Sequence, residues 1–113
     1  MKIYHNPRCS KSRQSLALLQ EAGVELEVVE YLNNPPTAEE LSQILDALQM
    51  EPADLMRTGE AVYQELGLGG KELSRQEAIE TMIQNPVLIQ RPIVVNGEQA
   101  VIGRPPENIR ALI

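Results

Sequence analysis

The opening segment of the chain changes its residue pattern twice, and this restricts the possible folds more than any other feature of the sequence. Lys2–His5 predicts a short strand, which ends at Asn6-Pro7. Ser10–Ala22 predicts a helix, because apolar residues recur on one face and a glycine follows as a stop. Glu25–Glu30 alternates acidic and apolar residues and predicts a second strand. Strand, helix and strand at this spacing form one βαβ unit, whose two strands run parallel.

The middle of the chain predicts helices. Two capping boxes, in which a hydroxyl residue precedes a glutamate by three positions, mark helix starts at Thr37 and Ser74. In the first of these helices, apolar residues recur at i, i+3, i+4 and i+7, which is typical of a helix packed on a core. This face consists of Leu41, Ile44, Leu45 and Leu48.

The last part of the chain predicts two strands and a helix. Ile93–Val95 and Ala100–Ile102 are short apolar runs, and Asn96-Gly97 between them is a strong signal for a hairpin turn. Pro105-Pro106 begins a final helix, whose apolar face includes the last residue, Ile113. This part therefore reads as a ββα unit.

A βαβ unit and a ββα unit that share one four-stranded mixed sheet form the thioredoxin-like architecture, so we predict an α/β fold of this type. The helices between the two units are too many for a single crossover connection and predict an inserted subdomain. We expect one domain of 113 residues, with a thioredoxin-like core in residues 1–32 and 87–113 and a helical insertion in residues 33–86.

The composition excludes several classes of function. A net charge of −6, with three tyrosines and no phenylalanine or tryptophan, argues against a nucleic-acid-binding surface. No apolar run approaches the roughly 18 residues that a membrane helix needs, and no signal-peptide pattern opens the chain. One cysteine and one histidine are too few for a tetrahedral zinc site. We therefore expect a cytoplasmic monomer that binds no metal, no nucleic acid and no membrane.

Cys9 is the only cysteine, and it lies in the turn between the first strand and the first helix. Free N–H groups at a helix N-terminus stabilise a thiolate and bind oxyanions. Arg8, Lys11 and Arg13 place three cations within five residues of the sulfur, which reverses the sign of the charge locally in an acidic chain. A buried structural cysteine is the alternative, since free cysteines are often buried, but such a cysteine would not need these charges.

The spacing around Cys9 separates the kinds of cysteine chemistry. A tyrosine-phosphatase loop needs an arginine six residues after the cysteine, where this chain has a serine. A dithiol oxidoreductase needs a second cysteine three residues on, where this chain has Ser12. Any redox turnover of Cys9 therefore requires a thiol from another molecule. Ser10 and Ser12 add two hydroxyls near the sulfur, and we expect both to contact a bound oxyanion.

Five segments of the chain carry a further indication: Tyr4–Arg13, Asn34–Pro36, Leu66–Leu68, Gln90–Val94 and Gly103–Pro105. In this order they resemble the glutaredoxin-dependent arsenate reductase family, and the chain looks like a short member of it. The likeness extends over the whole chain, and the first and fourth segments are the most specific. It departs from the usual pattern at Ser10-Lys11, where the family commonly has Gly-Thr. The family has a thioredoxin-like fold with a helical insertion.

The resemblance implies a role for each matching residue. Cys9 is the nucleophile, and His5 stands near it and favours the thiolate. Pro92 matches the cis-proline that faces the active cysteine in thioredoxin-like folds. The arginines that bind the oxyanion are Arg57, Arg91 and Arg104. An ordinary strand-end histidine and a solvated helix-end arginine remain the alternative interpretations of His5 and Arg57.

The resemblance also implies a reaction. The Cys9 thiolate attacks arsenate, glutathione attacks the resulting adduct, and glutaredoxin completes the two-electron reduction to arsenite. Glutathione is a co-substrate, and no bound cofactor is implied. A monothiol thiol–disulfide oxidoreductase is the main alternative, since it needs Cys9 but no arginine triad. A regulator that binds RNA polymerase is disfavoured, because such regulators typically carry a Cys-x-x-Cys switch that Ser12 removes.

Overall fold

Four short strands form one sheet in the computed structural model, which describes all residues from Met1 to Ile113. The strands are β1 (Lys2–His5), β2 (Glu27–Glu30), β3 (Ile93–Asn96) and β4 (Gln99–Ile102). The sheet order is β2-β1-β3-β4, with β1 parallel to β2, β1 antiparallel to β3, and β3 antiparallel to β4. The predicted four-stranded mixed sheet is therefore confirmed, including the parallel pair of the βαβ unit.

The chain divides into two compact units. The sheet unit contains Met1–Asn34 and Arg91–Ile113, and the helical unit contains Pro35–Gln90. Compared with the predicted insertion, residues 33–86, the helical unit begins two residues later and ends four residues later. At its end, the backbone N–H of Gln90 donates to the carbonyl of Leu55 at 2.9 Å and ties this residue to the unit.

The core of the sheet unit joins the sheet to α1 (Ser10–Glu21) and to the C-terminal segment. Its buried members are Ile3, Leu19, Val94, Ile109 and Leu112. Each such side chain contributes about 1.5–3 kcal/mol relative to an exposed position. The helix ends at its predicted stop, where Gly23 adopts a φ of +71°, a conformation that glycine enters without strain.

The C-terminal segment differs from the prediction. Pro106–Leu112 is a 3₁₀ helix, and Ile113 is 57% exposed instead of lying on the apolar face. Residues three apart align in a 3₁₀ helix. Ile109 and Leu112 therefore both reach the core, whereas the next residue is rotated towards solvent.

The hairpin is present, but its turn lies one residue later than predicted. Asn96 pairs with Gln99, so the two turn residues are Gly97 and Glu98, and Gly97 has a φ of +62°. The side chain of Asn96 donates from Nδ2 to the carbonyl of Leu112 at 3.0 Å. Strand pairing and this contact keep Asn96 in the strand, and the positive φ falls on the glycine alone.

The helical unit contains α2 (Ala38–Leu48), α3 (Pro52–Leu55), α4 (Ala61–Glu65) and α5 (Arg75–Gln84). Both predicted capping boxes are confirmed, since the Thr37 and Ser74 side chains accept from the backbone N–H groups of Glu40 and Glu77. Three residues of the predicted apolar face are buried in α2, whereas Leu48 at its end is only partly buried. No helix in the chain combines the length and the hydropathy that crossing a bilayer requires.

Candidate active site

Cys9 lies at the N-terminus of α1, directly before Ser10, and is 8% exposed. Its own N–H donates to the carbonyl of Asn6 at 3.0 Å, and the N–H of Arg8 donates to Oδ1 of Asn6 at 3.0 Å. The N–H of Arg13 donates to the Cys9 carbonyl at 3.0 Å and begins the helix. These backbone contacts hold the sulfur beside the free N–H groups of the first helical turn.

Two arginines of the sheet unit reach the sulfur of Cys9. Arg104 donates from Nη2 to Sγ at 3.5 Å, and its Nε donates to the carbonyl of Arg91 at 2.7 Å. The side chain of Arg91 also forms a hydrogen bond to the sulfur. The fold therefore brings Cys9, Arg91 and Arg104 together, although more than eighty residues separate the cysteine from either arginine.

The pKa of the Cys9 thiol is lowered from its ordinary value by these donors. Burial is the largest single influence and raises the pKa, but it is outweighed. Hydrogen bonds from the backbone N–H of Ser12, the side chain of Arg91 and the backbone N–H of Lys11 all lower it, and the positive charge of Arg91 adds to them. The sulfur is therefore a thiolate over a wider pH range than a free cysteine, as nucleophilic chemistry requires.

Alkylation of Cys9 by iodoacetamide tests this conclusion. The rate, followed against pH, should rise with a midpoint below that of a free cysteine, because the folded protein stabilises the thiolate. Arg91→Gln should move the midpoint upward, since it removes a hydrogen-bond donor and a positive charge. Arg110→Gln, an exposed cation on the last helix, should leave it unchanged. A wild-type midpoint at or above that of free cysteine would instead indicate a buried structural residue.

His5 contacts the active-site loop through Ser12. The imidazole Nδ1 lies 2.6 Å from Ser12 Oγ, which also accepts from the backbone N–H of Asn6 at 3.0 Å. Burial lowers the pKa of His5; the carboxylate of Glu30 raises it less, and the charge of Arg13 also lowers it. A neutral imidazole is thus favoured, and the ring positions Ser12, whose backbone N–H binds the sulfur. A direct catalytic role for His5, and oxyanion contacts of Ser10 and Ser12, stay predictions.

Arg57 lies in the helical unit, between α3 and α4. Its Nη1 donates to Oε1 of Gln90 at 2.9 Å, and its backbone N–H donates to the carbonyl of Leu88 at 2.7 Å. Its Nε lies 3.6 Å from Oε1 of Glu60. The side chain is therefore held by neighbours within its own unit and is not a freely solvated arginine. Its role as a third oxyanion ligand stays a prediction.

Gly103 directly precedes Arg104 and packs against Pro92; the sequence marks it only as part of the Gly103–Pro105 segment and does not reveal this close contact. Its N–H donates to the carbonyl of Pro92 at 2.9 Å. The bonds preceding Pro92 and Pro105 are both cis; the first agrees with the prediction, and the second has no sequence signal, since most X-Pro bonds are trans. A Cβ on Gly103 would overlap Oγ of Ser15 and lie 2.8 Å from Cγ of Pro92. Only a glycine fits this contact without a shift.

Gly103→Ala should therefore lower the free energy of unfolding by about 1–3 kcal/mol, because the added methyl group overpacks the contact with Ser15 and Pro92. Urea denaturation measures this loss. Ser15→Ala in the same chain should recover part of it, since Ser15 Oγ is buried without a hydrogen-bond partner and its removal makes room. Strictly additive effects of the two substitutions would contradict the contact.

The remaining cations near Cys9 are exposed. Arg8, Lys11 and Arg13 all lie at exposed positions, and none of them forms an ion pair. Arg13 donates from Nη1 to the carbonyl of Pro7 at 2.9 Å and so fastens the loop. No three histidine, cysteine, aspartate or glutamate side chains are placed to hold a metal ion together.

Comparisons with known proteins agree on one group. A model of the ArsC family matches residues 4–112. The uncharacterized protein YfgD of Escherichia coli is 51% identical over 100% of this chain and 96% of its own length. The arsenate reductase of Neisseria meningitidis serogroup A is 44% identical over 100% of this chain and 97% of its own length.

A solved structure gives the same result. The arsenate reductase from Vibrio cholerae superposes with a TM-score of 0.93 at 44% identity, and the match covers 100% of this chain and 98% of that one. The thioredoxin-like fold predicted from the order of strands and helices is confirmed by this likeness.

Proposed function

This chain belongs to the ArsC family, and on that premise we propose that it reduces arsenate to arsenite with Cys9 as the nucleophile. The observation that carries the proposal is the contact of Arg91 and Arg104 with the Cys9 sulfur. Two guanidinium groups at a thiolate suit an attack on an oxyanion that the same groups bind. A disulfide substrate needs no such pair at the reacting sulfur. The likeness over the whole chain to proteins named arsenate reductase supports the same reaction.

Binding of arsenate follows from its charge and shape. Near neutral pH it is a tetrahedral dianion, which guanidinium groups bind through paired N–H donors in a way that ammonium groups do not. Arg91 and Arg104 supply two guanidiniums, and Arg57 supplies the third by resemblance to the family. The N–H groups of the first turn of α1 add donors beside Cys9. The exposed Ser10 is available as a further ligand.

The first chemical step joins sulfur to arsenic. The Cys9 thiolate attacks arsenic, an As–S bond forms, and one As–O bond breaks, with the oxygen leaving as water after taking up protons. Arsenic stays pentavalent, because no electrons have yet been transferred. The arginines stabilise the charge on the remaining oxygens. Phosphate exchanges its oxygens for sulfur far less readily, so the chemical step as well as binding separates the two anions.

The reduction itself needs thiols from other molecules, because Cys9 is the only cysteine. Glutathione attacks the Cys9-bound arsenic and displaces a second oxygen as water. A glutaredoxin thiolate then attacks the glutathione sulfur, a disulfide forms between them, and two electrons remain on arsenic, which becomes trivalent. Water releases arsenite and restores the Cys9 thiol. We assign the reaction to the cytoplasm, where such thiols are kept reduced.

A coupled assay tests the proposal. Purified protein is mixed with glutathione, glutaredoxin, glutathione reductase and NADPH, and arsenate is added last. The expected result is arsenate-dependent oxidation of NADPH, with one arsenite formed per NADPH and no turnover when either glutathione or glutaredoxin is left out. A protein that reduces hydroxyethyl disulfide in the same mixture, but does not respond to arsenate, would be a monothiol oxidoreductase instead.

A further inference from the structure

The proposed reaction leaves two exposed cations beside Cys9 without a role. Arg8 directly precedes the cysteine and Lys11 follows it by two positions, and neither side chain forms an ion pair. The loop does not need the Arg8 side chain, since it is the backbone N–H of this residue that donates to Asn6. Two cations that serve neither the fold nor an ion pair form a local positive field in a chain of net charge −6.

The oxyanion is not the ligand that these two cations fit best. Arsenic must bond to the Cys9 sulfur, and Arg91 and Arg104 already contact this sulfur. The oxygens of the bound oxyanion therefore lie beside these two arginines. The thiol that reduces the adduct arrives afterwards, from solvent, and has to be held with its own sulfur against the bound arsenic. Arg8 and Lys11, which we call the rim, are exposed on either side of Cys9. They are suited to bind the charged groups of such a molecule that lie far from its sulfur.

A small peptide thiol fits the rim better than an acidic protein surface does. Exposed charges are screened beyond about 8–10 Å at physiological salt, so a small ligand senses mainly the nearest cations. An acidic protein would cover a larger area of a chain that carries 16 acidic and 10 basic residues, and would be repelled overall. Peptide thiols of the glutathione class carry a carboxylate at each end and a net negative charge.

We propose that Arg8 and Lys11 bind the carboxylates of the small anionic thiol that reduces the Cys9 adduct. This assignment rests on the proposed function, and it names the residues that select the reductant. The two cations raise the affinity for a glutathione-type thiol and direct its sulfur to Cys9. Arg13 strengthens the field, but one of its nitrogens is held on the Pro7 carbonyl.

The test uses a reaction of Cys9 in which arsenate takes no part. The Cys9 thiolate attacks one sulfur of a disulfide, a new S–S bond forms to Cys9, the original S–S bond breaks, and the other half leaves as a thiolate. Glutathione disulfide carries carboxylates, and bis(2-hydroxyethyl) disulfide is neutral. Rates of mixed-disulfide formation are measured by mass spectrometry at a pH above the alkylation midpoint of every variant.

The double variant Arg8→Glu with Lys11→Glu should react about tenfold more slowly with glutathione disulfide at low ionic strength, and less than about twofold more slowly with the neutral disulfide. The wild-type rate should saturate with glutathione disulfide, and added salt should reduce it towards the rate of the variant. The control, Lys71→Glu with Arg110→Glu, changes the net charge equally at two other exposed positions and should react like the wild type.

Equal slowing with both disulfides would overturn the proposal, because the variant would then have changed the sulfur itself. The same selective slowing in the control pair would also overturn it, because net charge alone would explain the effect. If the rates with glutathione disulfide were unchanged, but glutaredoxin reduced the Cys9–glutathione mixed disulfide of the variant more slowly, the rim would bind the protein partner instead. Absence of arsenate reduction leaves this comparison intact, so failure of the proposed function is recognised separately.

Discussion

Replacing Cys9 by serine is expected to lower arsenate turnover at least about a thousandfold, because a hydroxyl is a far weaker nucleophile than a thiolate at neutral pH. The loss should be in chemistry and not in folding. The backbone contacts of Cys9 with Asn6 and Arg13 do not involve its side chain, and serine is a preferred residue at a helix N-cap. The coupled NADPH assay measures the turnover, and urea denaturation measures the stability.

Residual turnover above a few per cent of the wild type would contradict the assignment of Cys9 as the nucleophile. Because Cys9 is the only cysteine, the variant should also take up no iodoacetamide, which mass spectrometry can verify on the same sample. A variant that is inactive and also unfolded at low urea concentration would show that the residue is structural.

Lysine in place of Arg91 or Arg104 is expected to reduce kcat/KM for arsenate roughly ten- to a hundredfold. Lysine keeps the charge but loses the planar pair of N–H donors. Loss of a charge-assisted hydrogen bond in the transition state corresponds to about 1.5–3 kcal/mol. Substitution of Arg104 should also loosen the backbone of Arg91, because Nε of Arg104 donates to the carbonyl of Arg91 at 2.7 Å. Initial rates over a range of arsenate concentrations separate kcat from KM.

Arg110→Lys is the matched control for these variants, since Arg110 is exposed on the last helix. Arg75 is less suitable, because it binds Asp46 at 2.8 Å and Ser42 at 3.0 Å and its substitution would disturb α2. Sulfate should compete with arsenate in the wild type and less strongly in the lysine variants. If both variants match the wild type on arsenate, the oxyanion site is refuted and a monothiol oxidoreductase explains the chain better.

Most helices and strands could be predicted because their signals are local. A capping box such as that of Thr37 and Glu40 depends on residues three apart, and the parallel pairing of β1 and β2 follows from the length of the segment between them. The errors fall where distant residues compete with the local signal. Asn96 is drawn into β3 by its strand partner and by the Leu112 carbonyl, and this shifts the hairpin turn.

The candidate site also combines features that are local in the chain with contacts between distant residues. Cys9, the cations around it and the helix that follows are neighbours in the chain, so their proximity and the absence of a second cysteine could be inferred directly. Arg91 and Arg104 could be named from the resemblance, but their contacts with the sulfur could not. Those contacts depend on the β3–β4 hairpin and on the close approach of Gly103 to Ser15 and Pro92.

The amino-acid order therefore specified the position of the single thiol before a helix, the absence of a second cysteine and the arrangement of the strands, since each depends on residue type or on spacing along the chain. Only the folded chain shows the hydrogen bond between His5 and Ser12. It also shows that Arg91 joins the local N–H donors in lowering the pKa of Cys9. Hydrogen bonds and close packing act over a few ångströms. Such contacts between residues far apart in the chain exist only once the sheet has brought its distant segments side by side.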